Sequence, residues 1–252
     1  MENGIQAWKG VIATAVLAGA IILGATAAGY AAASLFDGWA QIHEARAFRP
    51  GEIEALLTGR VAASLFAFQA VTVISVLLID AYRRRTTGAS IINFAAPPGG
   101  IATIALAALA LISLATCFAS LVFVFNPEAL RHDLQPFSEM MQSRTWWLIL
   151  LAAGIGAPLA EELLFRGLIF GALRASPLGF IGAAIVTALS WALLHANYSV
   201  YGLGAIALIG LYLAWLRERT GTLLTPVICH GVYNSIIILL MVLAPNNALT
   251  AG

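Results

Sequence analysis

Charged side chains are scarce in this chain of 252 residues. They make up 10% of the sequence and hydrophobic residues 61%, whereas a soluble domain is about 25% charged and about 45–50% apolar. This composition excludes an ordinary soluble domain and predicts an integral membrane protein. The net charge is +1 and Lys9 is the only lysine, so the charge balance gives no indication of binding to nucleic acid.

Cysteine is almost absent as well. Cys117 and Cys229 both lie within apolar runs, and two cysteines do not make a disulfide framework. We predict that both are buried thiols. Cys229 precedes His230, but nothing nearby in the sequence would activate it, so a cysteine nucleophile is not expected.

Long apolar runs, in contrast, are abundant. A membrane-spanning helix needs about 20 apolar residues, and seven stretches approach or exceed this length. The sequence therefore predicts an all-α, polytopic membrane bundle of about seven transmembrane helices, with six to eight as the range. The predicted spans are residues 11–36, 61–79, 101–125, 146–164, 178–195, 200–215 and 223–243.

The segments around these spans carry further information. The first span exceeds the apolar core of about 7–15 residues found in signal peptides, so it is expected to be a retained helix. Residues 127–144 mix charged side chains with Leu, Phe and Met, which is typical of an amphipathic segment at the membrane surface. Residues 37–60 are predicted to form a polar loop, with a short helix after Pro50 as an alternative for its second part. With Arg166 left out as a buried group, seven basic residues flank the spans on the side that carries the N-terminus and five on the opposite side, which favours a cytoplasmic N-terminus. The bias towards Arg and Ala favours a bacterial origin, and hence a bacterial plasma membrane.

Three ionisable residues lie inside one of the most apolar stretches. Glu161, Glu162 and Arg166 stand in Ala-Glu-Glu-Leu-Leu-Phe-Arg-Gly, where each charge costs at least ~2.5 kcal/mol on membrane-insertion scales. Residues four apart share a helix face, so Glu162 and Arg166 can pair, whereas Glu161 points elsewhere. Glu162 is therefore expected to be structural and ionised, and Glu161 to be available for chemistry.

Helix-breaking residues precede the two glutamates. Gly154, Gly156 and Pro158 predict that one helix ends and another begins near Pro158, with both carboxylates close to the new N-terminus. A similar helix start is predicted one turn before His230, with Thr225 as its N-cap residue.

Two histidines occupy similar apolar settings downstream. His195 ends the sequence Trp-Ala-Leu-Leu-His, and His230 begins His-Gly-Val-Tyr-Asn, which places Asn234 on the same helix face. Taken singly, a Glu–Arg pair is often a helix salt bridge, a lone histidine is often a core residue, and a His–Asn pair is typical of contacts between membrane helices. Three polar clusters in three successive spans instead favour convergence in the bundle interior. Carboxylates and imidazoles together indicate proton transfer, and hydrolysis is the expected reaction.

The order and spacing of these motifs resemble a known family. Glu-Glu-x-x-x-Arg, aromatic-x-x-x-His and His-x-x-x-Asn, at residues 161–166, 191–195 and 230–234, are similar to the motifs of the CAAX-processing and bacteriocin-processing intramembrane proteases. That family includes the type II CAAX prenyl endopeptidases. The run at 219–230 also looks like the family's approach to its last motif.

The resemblance covers about residues 146–243, and the first 145 residues carry no matching motif. The chain shows no internal repeat and no low-complexity linker, so we predict one membrane domain over 1–252, and the resemblance implies a catalytic helical core at 146–243. The resemblance also implies that Arg166 holds Glu162 and so fixes the motif helix. Trp191 departs from the commoner phenylalanine but keeps an aromatic side chain four residues before the histidine.

The activity implied by the resemblance is hydrolysis of a peptide bond within the membrane. Glu161 and His195 would activate a water molecule as general base. His230 and Asn234 would donate hydrogen bonds to the oxyanion of the tetrahedral intermediate.

Zinc is an alternative that the residues leave open. Glu161, His195 and His230 could supply three protein ligands and leave the fourth position to water. No His-Glu-x-x-His motif is present, and the oxyanion role needs His230 free of metal. We therefore favour no cofactor and predict metal-free glutamate chemistry, with a zinc-dependent protease as the alternative.

The expected partners are the lipid bilayer and a membrane-embedded or lipidated peptide substrate. A proton-coupled transporter would also place carboxylates and histidines in the membrane, but its polar residues would recur in two halves of the chain. A non-catalytic membrane scaffold is the third candidate, and the presence of every motif residue disfavours it. The natural substrate, the scissile bond and the oligomeric state do not follow from the sequence.

Overall fold

The computed structural model describes residues 2–43 and 52–243 of the chain. Within these ranges the chain forms eight helices and no strands, which confirms the predicted all-α fold. The helices are α1 (Glu2–His43), α2 (Glu52–Thr87), α3 (Gly100–Phe125), α4 (Pro127–Met141), α5 (Trp146–Arg174), α6 (Gly179–Leu193), α7 (Val200–Thr220) and α8 (Leu224–Leu243).

Six of the described helices are long and apolar enough to cross a membrane, namely α1, α2, α3, α5, α7 and α8. They match six of the seven predicted spans and confirm an integral membrane protein with a polytopic helical bundle. The remaining predicted span corresponds to α6, which has only 15 residues. At 1.5 Å per residue α6 is about 22 Å long, which is shorter than the hydrocarbon core of about 30 Å.

The motif helix α5 lies at the centre of the bundle. Half of its most apolar stretch is buried inside the protein, whereas the buried share of the corresponding stretch in each of the other five long helices is only 17–28%. Leu163, Leu164, Phe165 and Leu168 of α5 belong to the main hydrophobic cluster, which also contains residues of α1, α2, α3, α6, α7 and α8. The charged residues of the first motif are therefore surrounded by protein and not by lipid.

The predicted helix break before the glutamates is wrong. Gly154, Gly156 and Pro158 lie inside the continuous helix α5, and Gly156 has α-helical backbone angles. The chain accommodates Pro158 by a wide, π-helical turn at Ala152–Gly156, in which the N–H of Ala157 bonds the carbonyl of Ala152 five residues back. Such turns insert an extra residue and relieve the clash that proline causes in an α-helix. The glutamates consequently lie well inside a helix and not at an N-terminus.

The predicted amphipathic segment forms α4, which is linked to the hairpin of α6 and α7. These two helices pack against each other, and residues 194–199 connect them. Asp133 of α4 accepts hydrogen bonds from the N–H and the hydroxyl of Ser199, both at 2.7 Å. Ser199 in turn caps α7 by accepting from the N–H of Gly202 at 3.1 Å. One carboxylate therefore fixes α4 to the loop that carries His195.

Two further expectations need correction. The predicted polar loop at 37–60 is too long, because α1 continues to His43 and α2 begins at Glu52, while residues 44–51 lie outside the described ranges. Cys117 is exposed on α3, whereas Cys229 is buried as predicted. An apolar run in a membrane helix includes the lipid-facing surface, so hydrophobic surroundings in the sequence do not imply burial within the protein.

The connection between α2 and α3 packs back against the bundle. Asp80, near the end of α2, accepts hydrogen bonds from the hydroxyl of Ser90 and the N–H of Ile91, both at 2.7 Å. The carbonyl of Asn93 accepts the N–H of Leu223 at 2.7 Å. This connection therefore positions the start of α8, the helix that carries the third motif.

Candidate active site

Glu162 joins the first motif to the third. Its Oε1 accepts hydrogen bonds from Nη1 of Arg166 at 2.9 Å and from Nδ1 of His230 at 3.0 Å. Glu162 and Arg166 are both 0% exposed, and His230 is buried. Because removing one partner would leave an uncompensated charge in the core, the pair stabilises this arrangement as a unit.

Arg166 extends this network to two other helices. Its Nη2 donates to the carbonyl of Gly210 in α7 at 3.0 Å. Its guanidinium carbon lies 4.8 Å from the centre of the Trp191 ring in α6, within the range of a cation–π interaction. The structure thus pairs Glu162 with Arg166, as the sequence predicted, and shows that Arg166 also links α5 to α6 and α7.

Glu161 lies on a different side of α5, as the helix geometry predicted. Its Oε2 accepts a hydrogen bond from the indole Nε1 of Trp191 at 2.7 Å. The side chain is half-buried, unlike that of Glu162. The two adjacent carboxylates therefore have different environments. Glu162 is enclosed and accepts from Arg166 and His230, whereas Glu161 is partly accessible.

His195 lies just beyond the end of α6. Its Nδ1 is 3.0 Å from the carbonyl oxygen of Trp191, and its ring meets the rings of Trp191 and Tyr198 edge-on, with centres 5.5 and 6.0 Å apart. Burial, with the nearby carboxylate of Asp133, raises the pKa of Tyr198 to about 12, so this phenol is neutral at physiological pH. His195 is therefore half-buried between two aromatic rings.

The partners of the two histidines indicate their tautomers. A backbone carbonyl and an ionised carboxylate can only accept, so Nδ1 carries the proton in both His195 and His230. When the ring is neutral, Nε2 then has a free lone pair and can take a proton. Nε2 can donate only when it carries a proton as well.

Asn234 contacts the wide turn of α5. The N–H of Ala157 bonds Ala152, and Pro158 has no N–H, so the carbonyl of Ala153 lacks its usual donors within the helix. Asn234 supplies a donor instead, with Nδ2 2.8 Å from the Ala153 oxygen. One amide N–H of Asn234 is thereby used, and the second is available to a ligand.

The start of α8 differs from its prediction. The helix begins at Leu224, so Thr225 lies in its first turn and is not the N-cap residue. The hydroxyl of Thr222, two residues before the first residue of the helix, accepts the N–H of Leu224 at 3.1 Å. Farther along, a Cβ at Gly231 would lie only 2.8 Å from the carbonyl oxygen of Gly154, so α8 and α5 are in close backbone contact beside His230.

The sequence predicted no contacts for two residues of the site, Trp191 and Gln69. Trp191 was considered only as the aromatic residue of the second motif, yet it contacts groups of all three motifs. Gln69 of α2 is buried and donates through Nε2 to the carbonyl of Ala152 at 2.9 Å. A glutamine within an apolar span is the signal that would have identified Gln69, since polar residues in membrane helices face partners inside the bundle.

The proposed zinc ligands do not form a ligand set in the part of the chain that the structure describes. No group of three or more His, Cys, Asp or Glu side chains there is arranged to hold one metal ion. Glu161, His195 and His230 instead surround Trp191, and their hydrogen bonds go to protein groups.

Comparison with known proteins identifies the region that carries these motifs. Residues 143–236 match the family described as type II CAAX prenyl endopeptidase Rce1-like. The matched region contains α5, α6 and α7, much of α8 and all three motifs. This match confirms the resemblance found in the sequence. No curated protein and no solved structure matches the chain.

Proposed function

We propose that this protein, which carries an Rce1-like domain at residues 143–236, is an intramembrane endopeptidase. Its substrate would be a membrane-associated peptide, with prenylated CAAX-type peptides as the leading class. The observation that carries the proposal is the position of Trp191, which contacts Glu161, His195 and His230 inside a membrane bundle. A carboxylate and two imidazoles around one side chain provide both proton acceptors and donors for hydrolysis.

Glu161 and His195 would activate the attacking water. Oε2 of Glu161 is occupied by the indole N–H, and the other oxygen has no hydrogen-bond partner among the described residues, so it can accept a proton. In neutral His195 the proton is on Nδ1, which bonds the carbonyl of Trp191, so the lone pair of Nε2 is free and can also accept a proton. The water oxygen forms a bond to the scissile carbonyl carbon while its proton passes to one of these groups. The same proton then moves to the leaving nitrogen as the C–N bond breaks.

His230 and Asn234 would stabilise the oxyanion that forms in between. Nε2 of His230 would donate to the oxyanion when it carries a proton, while Nδ1 stays bonded to the buried carboxylate of Glu162. Asn234 retains one amide N–H, because the other bonds Ala153. Donors held in place before the reaction stabilise a developing negative charge without reorganisation.

We propose that no step of this mechanism uses zinc, and the lack of a group of three donor side chains among the described residues supports this choice. The Glu162–Arg166 pair would instead keep His230 aligned with α5.

We further propose that the protein resides in a bacterial plasma membrane with its N-terminus in the cytoplasm. Lys9, the arginines at 83–85, and Arg174, Arg217 and Arg219 would then face the cytoplasm.

The test is cleavage of a quenched fluorescent farnesylated CAAX peptide by detergent-purified protein, beside Glu161→Gln and with a zinc chelator. We expect cleavage by the parental protein, no cleavage by the variant, and no effect of the chelator. Loss with the chelator would instead support a zinc-dependent protease. Failure of the parental protein to cleave would rule out prenyl-peptide processing as its leading activity and return attention to transport or scaffolding.

A further inference from the structure

Trp191 is in contact with all three motifs at once. Its side chain is 3% exposed, and its indole N–H donates to Oε2 of Glu161 at 2.7 Å. Its ring lies 5.5 Å from the ring of His195 and 5.3 Å from that of His230, edge-on in both cases. The guanidinium of Arg166 lies against the same ring.

The hydrogen bond makes the two oxygens of Glu161 different. Indole is a donor only, so Oε2 is held as an acceptor at a fixed point, and the carboxylate cannot rotate without losing the bond. Hydrogen bonds to an ionised group are about twice as strong as those between neutral groups. The remaining oxygen therefore keeps one direction, which is what proton transfer to a group within hydrogen-bond reach requires.

We propose that Trp191 is a positioning residue that orients Glu161 for proton transfer, and that the indole N–H, not the aromatic ring, supplies this role. The proposal rests on the proposed function, because it assigns Glu161 to the activation of water. The alternative is that Trp191 only fills space between α5, α6 and α8, in which case any aromatic side chain of similar size would serve.

Trp191→Phe separates these two possibilities. Phenylalanine keeps an aromatic ring for Arg166 and the histidines but lacks the N–H. A hydrogen bond to a charged group is worth about 1.5–3 kcal/mol, so we expect kcat to fall about tenfold or more, with KM within about twofold. Trp147→Phe is the matched control, because Trp147 is 49% exposed on the same helix as Glu161, and it should retain parental kcat. Parental kcat in Trp191→Phe would overturn the proposal.

A second measurement does not depend on activity. In a ¹H–¹⁵N spectrum of protein labelled at the tryptophan indoles, the resonance missing from Trp191→Phe belongs to Trp191, one of six tryptophans. It should move in Glu161→Ala, which removes the acceptor, and stay in place in Glu128→Ala, which changes an exposed carboxylate. An unmoved resonance in Glu161→Ala would refute the hydrogen bond and with it the proposal.

The two measurements also separate this proposal from the proposed function. A parental protein that does not cleave the farnesylated peptide but shows the indole shift would rule out prenyl-peptide processing as its leading activity and leave the Glu161–Trp191 contact established. If Trp191→Phe does not fold, phenylalanine variants of the other five tryptophans assign the resonance by exclusion. The Glu161→Ala spectrum then decides whether the hydrogen bond exists.

Discussion

Glu162 and His230 are hydrogen-bonded at 3.0 Å, although 68 residues separate them in the sequence. The same carboxylate oxygen also accepts from Arg166, so it is the acceptor for both residues and His230 holds its proton on Nδ1. This contact fixes which nitrogen of His230 can meet a substrate. Glu162 therefore does more than neutralise Arg166, because it orients a residue of another helix.

Replacing Glu161 should remove activity and leave the fold intact. Glu161→Gln preserves the shape and an acceptor for Trp191 but cannot take a proton. We expect kcat/KM to fall by about 10²–10⁴-fold, the usual contribution of general base catalysis, with thermal unfolding close to that of the parental protein. Cleavage at the parental rate would remove Glu161 from the mechanism.

Breaking the buried ion pair should unfold the protein more easily. Arg166→Ala leaves Glu162 charged and enclosed, which costs about 3–5 kcal/mol of stability. The matched control is Arg131→Ala in the exposed pair with Glu128, which should cost less than about 1 kcal/mol. Thermal unfolding in detergent compares the two variants, and equal melting temperatures would contradict a stabilising role for the buried pair.

Gly231→Ala should disturb two helices, α8, which carries His230, and α5, which carries the two glutamates. The new methyl group would lie 2.8 Å from the carbonyl oxygen of Gly154, and backbone cannot move aside as a flexible side chain can. Overpacking of this kind costs about 1–3 kcal/mol, and the shift of α8 would displace His230 and Asn234, so activity should fall as well.

Gly171→Ala is the control for this substitution. A Cβ at Gly171 meets no atom within 4 Å, and the residue lies within α5. Alanine in a helix is favoured over glycine by about 1 kcal/mol, so this variant should melt at the same or a higher temperature. A loss of stability in Gly171→Ala equal to that in Gly231→Ala would show that the close contact has no special weight.

Tyr198 should make stability fall at alkaline pH. Its pKa is raised from 10.0 to about 12, so the folded protein holds a proton that the unfolded chain releases above about pH 10. The associated stability is fully present below pH 10 and is lost as the pH rises towards 12, at up to about 1.4 kcal/mol per pH unit. Melting temperatures between pH 9 and 11.5 should decline less steeply in Tyr198→Phe than in the parental protein, and identical slopes would contradict the prediction.

Local arguments predicted the parts of the site that one helix contains. The pairing of Glu162 with Arg166 and the separate direction of Glu161 follow from the helical repeat alone, because residues four apart share a face. The helix break expected at Pro158 was wrong because the rule that proline interrupts a helix considers that helix alone and not its neighbours. Here Gln69 and Asn234 satisfy the carbonyls of the wide turn from neighbouring helices.

The sequence by itself determined the membrane class, the number of long helices within a narrow range, and the three motifs, because apolar length and residue spacing are properties of single segments. Only the tertiary structure decided what the motifs contact. The hydrogen bonds of Trp191 to Glu161, His230 to Glu162 and Asn234 to Ala153 join residues 30 to 81 positions apart. Their formation depends on how the helices rotate and approach one another, and packing between helices sets that geometry.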